Sequence, residues 1–256
     1  MPTDAAQAET DLRSAAIPQY SLAQILGVFA LAALPMGALA WLVAPAFGPA
    51  AGGLSMALVI CLTAGLVWQF GVVLLLVGIE QRSLRWRVVR AALWLGPPTR
   101  GARRGGRLWW MVVPYIAVFA LLQLIPWPFE SPLDRSPAYF LETDAGHDLL
   151  GGNVSLYVLL LVLFVFNTVL GEELLFRGLL LPRMAGVFGR ADWIANGILF
   201  GLYHLHQPWS IPGSIIDGAL AMAFPSARYR TAWFGIIVHS TQSMLFGVLV
   251  TAAFVS

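Results

Sequence analysis

Glu172 and Glu173 stand side by side in Gly171-Glu172-Glu173-Leu174-Leu175-Phe176-Arg177-Gly178, with Arg177 four residues after the second carboxylate. The stretch lies inside an apolar run over about 149–181. Moving a single charge to the middle of a bilayer costs at least about 2.5–3.5 kcal/mol, so three of them must be paired, hydrated or used. On a helix, Glu173 and Arg177 share a face in the favourable carboxylate-first order. Glu172 lies about 100° further round, beside Thr168, Val169 and Phe176. One carboxylate is therefore partnered and one is left over.

Imidazoles supply the complementary chemistry. His204 ends Phe200-Gly201-Leu202-Tyr203-His204, and Asn196, Phe200 and His204 share one helical face. His239 stands in another apolar segment, with Ser243 one turn on. His206 is expected on a different face, nearer the outer surface, and His147 belongs to an acidic, solvated loop. A carboxylate held in an apolar cavity grips a proton more firmly than one in water, which suits a general base. One imidazole can orient the water, and a second with a hydroxyl beside it can donate to a developing oxyanion. That set suits hydrolysis of an amide by activated water. Alternatively, Glu172, His204 and His239 hold a divalent metal such as zinc together with a water; no His-Glu-x-x-His pair is present, so three separate segments would have to assemble it.

The elements that must position these groups are membrane spans. Of the 256 residues, 59% are hydrophobic and 11% charged, against about 25% charged in soluble domains. The pattern predicts an all-α, polytopic transmembrane helical bundle of about seven spans, some short or re-entrant: 21–44, 54–79, 108–125, 149–181, 193–206, 213–224 and 232–255. Pro35 is expected to kink the first span, and the proline-rich segment 45–53 to form a turn. Residues 1–17 read as a flexible tail, and residues 18–256 as a single transmembrane domain whose catalytic core occupies about 149–255. The lone Cys61 excludes an internal disulfide and a cysteine metal cluster, and is expected to be a packing residue.

All basic residues are arginines, eight of them within 82–107. An excess of arginine marks the cytoplasmic side, which puts the N-terminus inside, most simply in a bacterial inner membrane. Between two spans, the arginines fit anionic lipid headgroups rather than nucleic acid, and 84–95 is expected to lie along the membrane surface. At about 1.5 Å per residue, Glu172 lies roughly 16 Å from Arg183, His204 about 21 Å from Arg190 and His239 about 14 Å from Arg230. Three segments thus bring titratable groups to comparable depth, and the expectation is one cavity opening toward the cytoplasmic leaflet.

The motifs resemble those of the CAAX protease and bacteriocin-processing (CPBP, or ABI) intramembrane proteases. Glu-Glu-x-x-x-Arg is matched by Glu172, Glu173 and Arg177, Phe-x-x-x-His by Phe200 and His204, and His-x-x-x-Asn/Asp by His239, with Ser243 where Asn or Asp is usual. The resemblance covers about 158–246 and implies an endopeptidase acting near the cytoplasmic leaflet or within the bilayer on a membrane-anchored or lipidated peptide. It implies that Glu172 activates water, His204 positions it, His239 with Ser243 stabilises the oxyanion, and Glu173 with Arg177 holds the site. Family members include both metal-dependent and metal-independent enzymes. The alternatives from other classes are a proton- or ion-coupled transporter, against which the lack of an internal repeat counts, and a non-catalytic immunity or scaffold protein, to which Ser243 points.

Overall fold

A long apolar run satisfies its backbone out of water as a helix. The computed structural model, which describes residues 17–136 and 138–255, is built almost wholly of helices. The expected tail, except for its last residue, lies outside the described residues, as does Ser256. The order is α1 (Leu22–Ala51), α2 (Leu54–Gln81), a short α3 (Trp86–Ala92), an antiparallel hairpin of β1 (Thr99–Arg100) and β2 (Arg103–Arg104), α4 (Gly106–Leu122), α5 (Val154–Arg183), α6 (Asp192–Tyr203), α7 (residues 211–229) and α8 (Trp233–Val255).

Helices α1, α2, α5 and α8 are long and apolar enough to cross a membrane, and α4 is a shorter apolar helix. Seven crossings are not confirmed. Helix α6 has 12 residues, about 18 Å of rise against a hydrocarbon core of roughly 30 Å. Of the turn expected over 45–53, residues 45–51 are helix instead. Helix α1 continues to Ala51, with a wide-turn π segment at Leu39–Val43 between Pro35 and Pro45; such segments accommodate irregularity without ending a helix. Reversal waits for Gly52 and Gly53, whose φ angles of 86° and 139° favour glycine. Cys61 packs with Ala40, Ala44, Ala57 and Leu58 in a small satellite core.

Helix ends collect on two faces. On the arginine face, the segment after α3 is tied to the start of α8: Ala232 N–H donates to the Trp94 carbonyl (2.9 Å), the Thr231 hydroxyl to Gly96 (2.8 Å) and the Trp233 indole to Leu95 (3.0 Å). Helix α3 itself is not free on the surface, because Val88, Val89 and Ala92 are buried. On the acidic face, the Ser55 hydroxyl donates to the Asp134 carbonyl (2.9 Å), the Trp41 indole to Leu205 (2.8 Å), and Arg135 lies 4.0 Å over the Trp41 ring. Helices α6 and α7 touch backbone to backbone, since a Cβ at Gly197 would collide with Ala219 and one at Gly201 with Ile215. Small residues permit this close approach between apolar helices.

Arg183, which the sequence leaves in a basic turn, is fully buried at the end of α5. It pairs with Glu80 of α2 (Nη2–Oε2 2.6 Å) and donates from Nη1 to the carbonyls of Ala92 (3.1 Å) and Leu179 (2.8 Å). The Tyr20 hydroxyl bonds the same Glu80 carboxylate. Burial, followed by that carboxylate, holds the Tyr20 hydroxyl well above its usual pKa. Glu80→Ala is expected to cost about 3–5 kcal/mol by leaving the Arg183 guanidinium buried without its acid. Arg87→Ala, on an exposed residue, should change stability by no more than about 0.5 kcal/mol. Chemical unfolding of both variants in detergent measures the difference.

Candidate active site

The base of the site is a buried charged cluster. Arg177 Nη1 donates to Glu173 Oε1 (2.9 Å), and His239 Nδ1 is hydrogen-bonded to the same oxygen (3.1 Å). The other arm of the guanidinium donates to the Gly218 carbonyl (3.1 Å) and reaches Met222 Sδ (3.4 Å), while its carbon lies 4.2 Å from the Phe200 ring centroid. One arginine side chain on α5 thereby joins α6, α7 and, through Glu173, α8. Glu173 and Arg177 are completely buried, and His239 nearly so.

Glu172, one residue earlier, faces different surroundings. It lines a cavity of about 380 Å³ together with His204, His239 and Ser243. Its carboxylate is buried, and Oε2 has no hydrogen-bond partner among the described residues; the nearest cationic candidate, His239 Nδ1, is 4.0 Å away. The adjacent carboxylates sit between two wide-turn segments, Phe166–Gly171 and Leu174–Leu180. Such turns recur at functional sites because they shift the phase of the helical face.

Phe200 sets the two imidazoles. Its ring lies 4.9 Å from that of His204 and 5.8 Å from that of His239, nearly perpendicular to both, and packs edge-on against Phe176 at 5.3 Å. His204 Nδ1 is 2.8 Å from the Phe200 carbonyl. A carbonyl only accepts, so Nδ1 carries the hydrogen and Nε2 holds a lone pair.

The motif residues thus divide into two layers. Glu172, His204, His239, Phe200 and Ser243 line the cavity, whereas Glu173, Arg177 and Asn196 do not. Asn196 is buried and donates to the Phe176 carbonyl (2.8 Å), fastening α6 to α5. Ser243 reaches the wall, but its hydroxyl hydrogen bond goes to the Phe164 carbonyl (3.5 Å). His206, expected on another face nearer the surface, is buried, stacks on His204 at 5.3 Å and lines the same cavity. Asp217, in the wide-turn segment Asp217–Ala223 of α7, also lines it and accepts from Gln123 of α4 (2.8 Å). Its one sequence signal is that of a lone acid in an apolar stretch.

Among the described residues, no group of three His, Cys, Asp or Glu side chains is placed to hold a metal ion. The Nδ1 contacts of His239 with Glu173 and of His204 with a carbonyl leave Nε2 of each ring available. Glu172, His204 and His239 are nevertheless not grouped closely enough to share an ion, and no chemical step is derived through one.

The opening also differs from expectation. The cavity wall extends to Trp127, Ser131 and Ser136 of the acidic loop and to Gln207, Trp209 and Ser210 after α6, and includes no residue of 80–107, 182–192 or 226–233. Its lining thus points to the acidic face as the side of access. The arginine side is closed by the bonds that tie α3, α5 and α8 together.

Residues 154–250 match the family model described as Type II CAAX prenyl endopeptidase Rce1-like, in agreement with the resemblance carried by the motifs. No curated protein and no solved structure matches the chain. With four helices long and apolar enough to cross a membrane, the chain is an integral membrane protein, and its residues 154–250 are similar to that peptidase family.

Gly235 on α8 lies against the base cluster, where a Cβ would fall on Glu173 Oε2 and against Arg177 Cγ. Gly235→Ala is expected to destabilise by about 1–3 kcal/mol, the usual range for overpacking. Gly247→Ala on the same helix meets nothing within 4 Å and should be neutral or slightly stabilising. Thermal unfolding of the pair in detergent checks the contrast.

Proposed function

We propose that this protein is an intramembrane endopeptidase that hydrolyses a peptide bond in a membrane-tethered or transmembrane peptide with a water activated by Glu172. The observation that carries the reading is the buried Glu172 carboxylate, its Oε2 without a hydrogen-bond partner among the described residues, on the wall of one cavity with His204 and His239. The family match supports peptidase activity and substrates that are membrane-associated prenylated peptides.

In the proposed reaction, Glu172 removes a proton from water as its oxygen attacks the carbonyl carbon, and His204 Nε2 accepts the water's second hydrogen and fixes its direction. The carbonyl oxygen becomes an oxyanion. His239 already spends its Nδ1 hydrogen on Glu173, so it donates from Nε2 only as an imidazolium, whose positive charge the Glu173 carboxylate balances. Ser243 and Gln242 line the cavity beside it. Glu172 then returns its proton to the departing nitrogen, the C–N bond breaks, and the products are a carboxylic acid, which keeps the water's second hydrogen, and an amine; transfer of that hydrogen between them gives carboxylate and ammonium. Glu173, Arg177 and Asn196 position these groups rather than touching the reacting atoms.

The arginine face is cytoplasmic in this reading, with the N-terminus inside and the protein in a bacterial inner membrane. Exposed Arg100, Arg103, Arg104 and Arg107 form no ion pair among the described residues and surround a cleft in which anionic headgroups fit.

Glu172→Gln keeps the shape and removes the base. It is expected to lower cleavage by about 10²–10⁴-fold with the melting temperature unchanged. The measurement is mass spectrometry of peptides from neighbouring membrane proteins incubated with the purified wild type and the variant. Equal turnover by both ends the proposal.

A further inference from the structure

The cavity holds a second carboxylate to which the reaction assigns no role. Asp217 lies on its wall, on α7, and its side chain makes a single hydrogen bond among the described residues, Oδ2 accepting from Gln123. Its position is fixed from both sides. Gln123 holds the carboxylate, and the next residue, Gly218, receives the Arg177 hydrogen bond that anchors the base cluster. Asp217 is therefore fixed on the wall of the cavity that Glu172, His204 and His239 line, together with Gly213 and Ser210.

Charge decides what such a group selects. Among the described residues no arginine lines the cavity, and its acids are Glu172, which is buried with an unpartnered oxygen, and Asp217. The loop at its mouth carries Glu130, Asp134, Glu142, Asp144 and Asp148 against Arg135. A cleft lined by one sign of charge between low-dielectric walls concentrates the opposite sign. The arginines that would repel a cationic peptide are on the closed face.

We propose that Asp217 is a specificity-determining residue that pairs with a lysine or arginine side chain of the peptide, a few residues from the scissile bond, as the peptide enters from the acidic face. This rests on the endopeptidase reading for the bond cleaved, but the recognition step can be measured without cleavage.

The test uses the full chain in detergent in the Glu172→Gln background, with a fluorescent apolar peptide carrying one lysine and the same peptide with norleucine in its place. Binding is read by anisotropy. Asp217→Asn preserves the shape and the Gln123 hydrogen bond, and should weaken the lysine peptide at least about tenfold while leaving the norleucine peptide unchanged. Asp217→Arg should reverse the preference toward a glutamate peptide. Equal weakening of both peptides, or no change, overturns the assignment. In the wild-type background, cleavage of the lysine peptide should fall through KM rather than kcat; a fall in kcat alone for both peptides would make Asp217 a proton donor and not a selector. The selective binding pattern without any cleavage by the wild type would retire the endopeptidase reading and leave the cation subsite standing.

Discussion

A fully buried arginine is the constraint from which the rest of the structure follows. A guanidinium cannot shed its charge, so Arg177 must find its partners inside the protein, and it takes them from every helix around it. Glu173 comes from its own helix, the Gly218 carbonyl and Met222 sulfur from α7, and the Phe200 face from α6. His239 joins through the shared Glu173 oxygen. Removing one member of such a cluster leaves an uncompensated buried charge, which is why buried pairs cost several kcal/mol to break even when they add little on balance. The cluster is better understood as a clamp that sets where four helices stand than as a store of stability.

That clamp explains why two neighbouring glutamates end in different circumstances. Glu173 Oε1 accepts from both Arg177 and His239 and is committed to the base. Glu172, turned about 100° round the helix, faces the cavity with an oxygen that no group among the described residues satisfies. The same division separates the histidines. A carbonyl fixes the tautomer of His204, and a carboxylate holds His239, so two identical side chains present different hydrogen-bonding potential to one space. Phe200 keeps both rings at nearly right angles to its own, which accounts for an aromatic residue four positions ahead of the histidine.

The inner part of this arrangement was legible in the sequence because charges in an apolar run are expensive and local spacing determines their pairing. Glu173 with Arg177, the spare Glu172 and the approach of three segments at similar depth all follow from helical geometry. What depends on distant partners was not legible. Arg183 looks like a turn residue until Glu80 and Ala92 are brought beside it. Asp217 gains meaning only when Gln123 and the cavity surround it. The segment 45–53 reads as a turn because proline usually ends a helix, yet the wide turn before Pro45 lets the helix continue to the two glycines. Ser243 has the spacing of an oxyanion donor, while its hydroxyl is drawn to the Phe164 carbonyl.

Arginine density marked one face as special, and depth measured from it suggested an opening there. Charge density reports which side of a bilayer a loop prefers; it does not report where the helices leave room. The arginine face is where the chain is most closely knit, with Arg183 joining α2, α3 and α5 and the Trp94–Gly96 segment stitched to α8. The cleft among Arg100, Arg103, Arg104 and Arg107 on that face shares no lining residue with the cavity of Glu172. On the acidic face, side chains such as Trp127, Phe129 and Leu124 remain exposed, and the cavity wall continues among the loop residues. Orientation and access are therefore separate properties of this fold, the first set by where the arginines lie and the second by which helix ends are left unstitched.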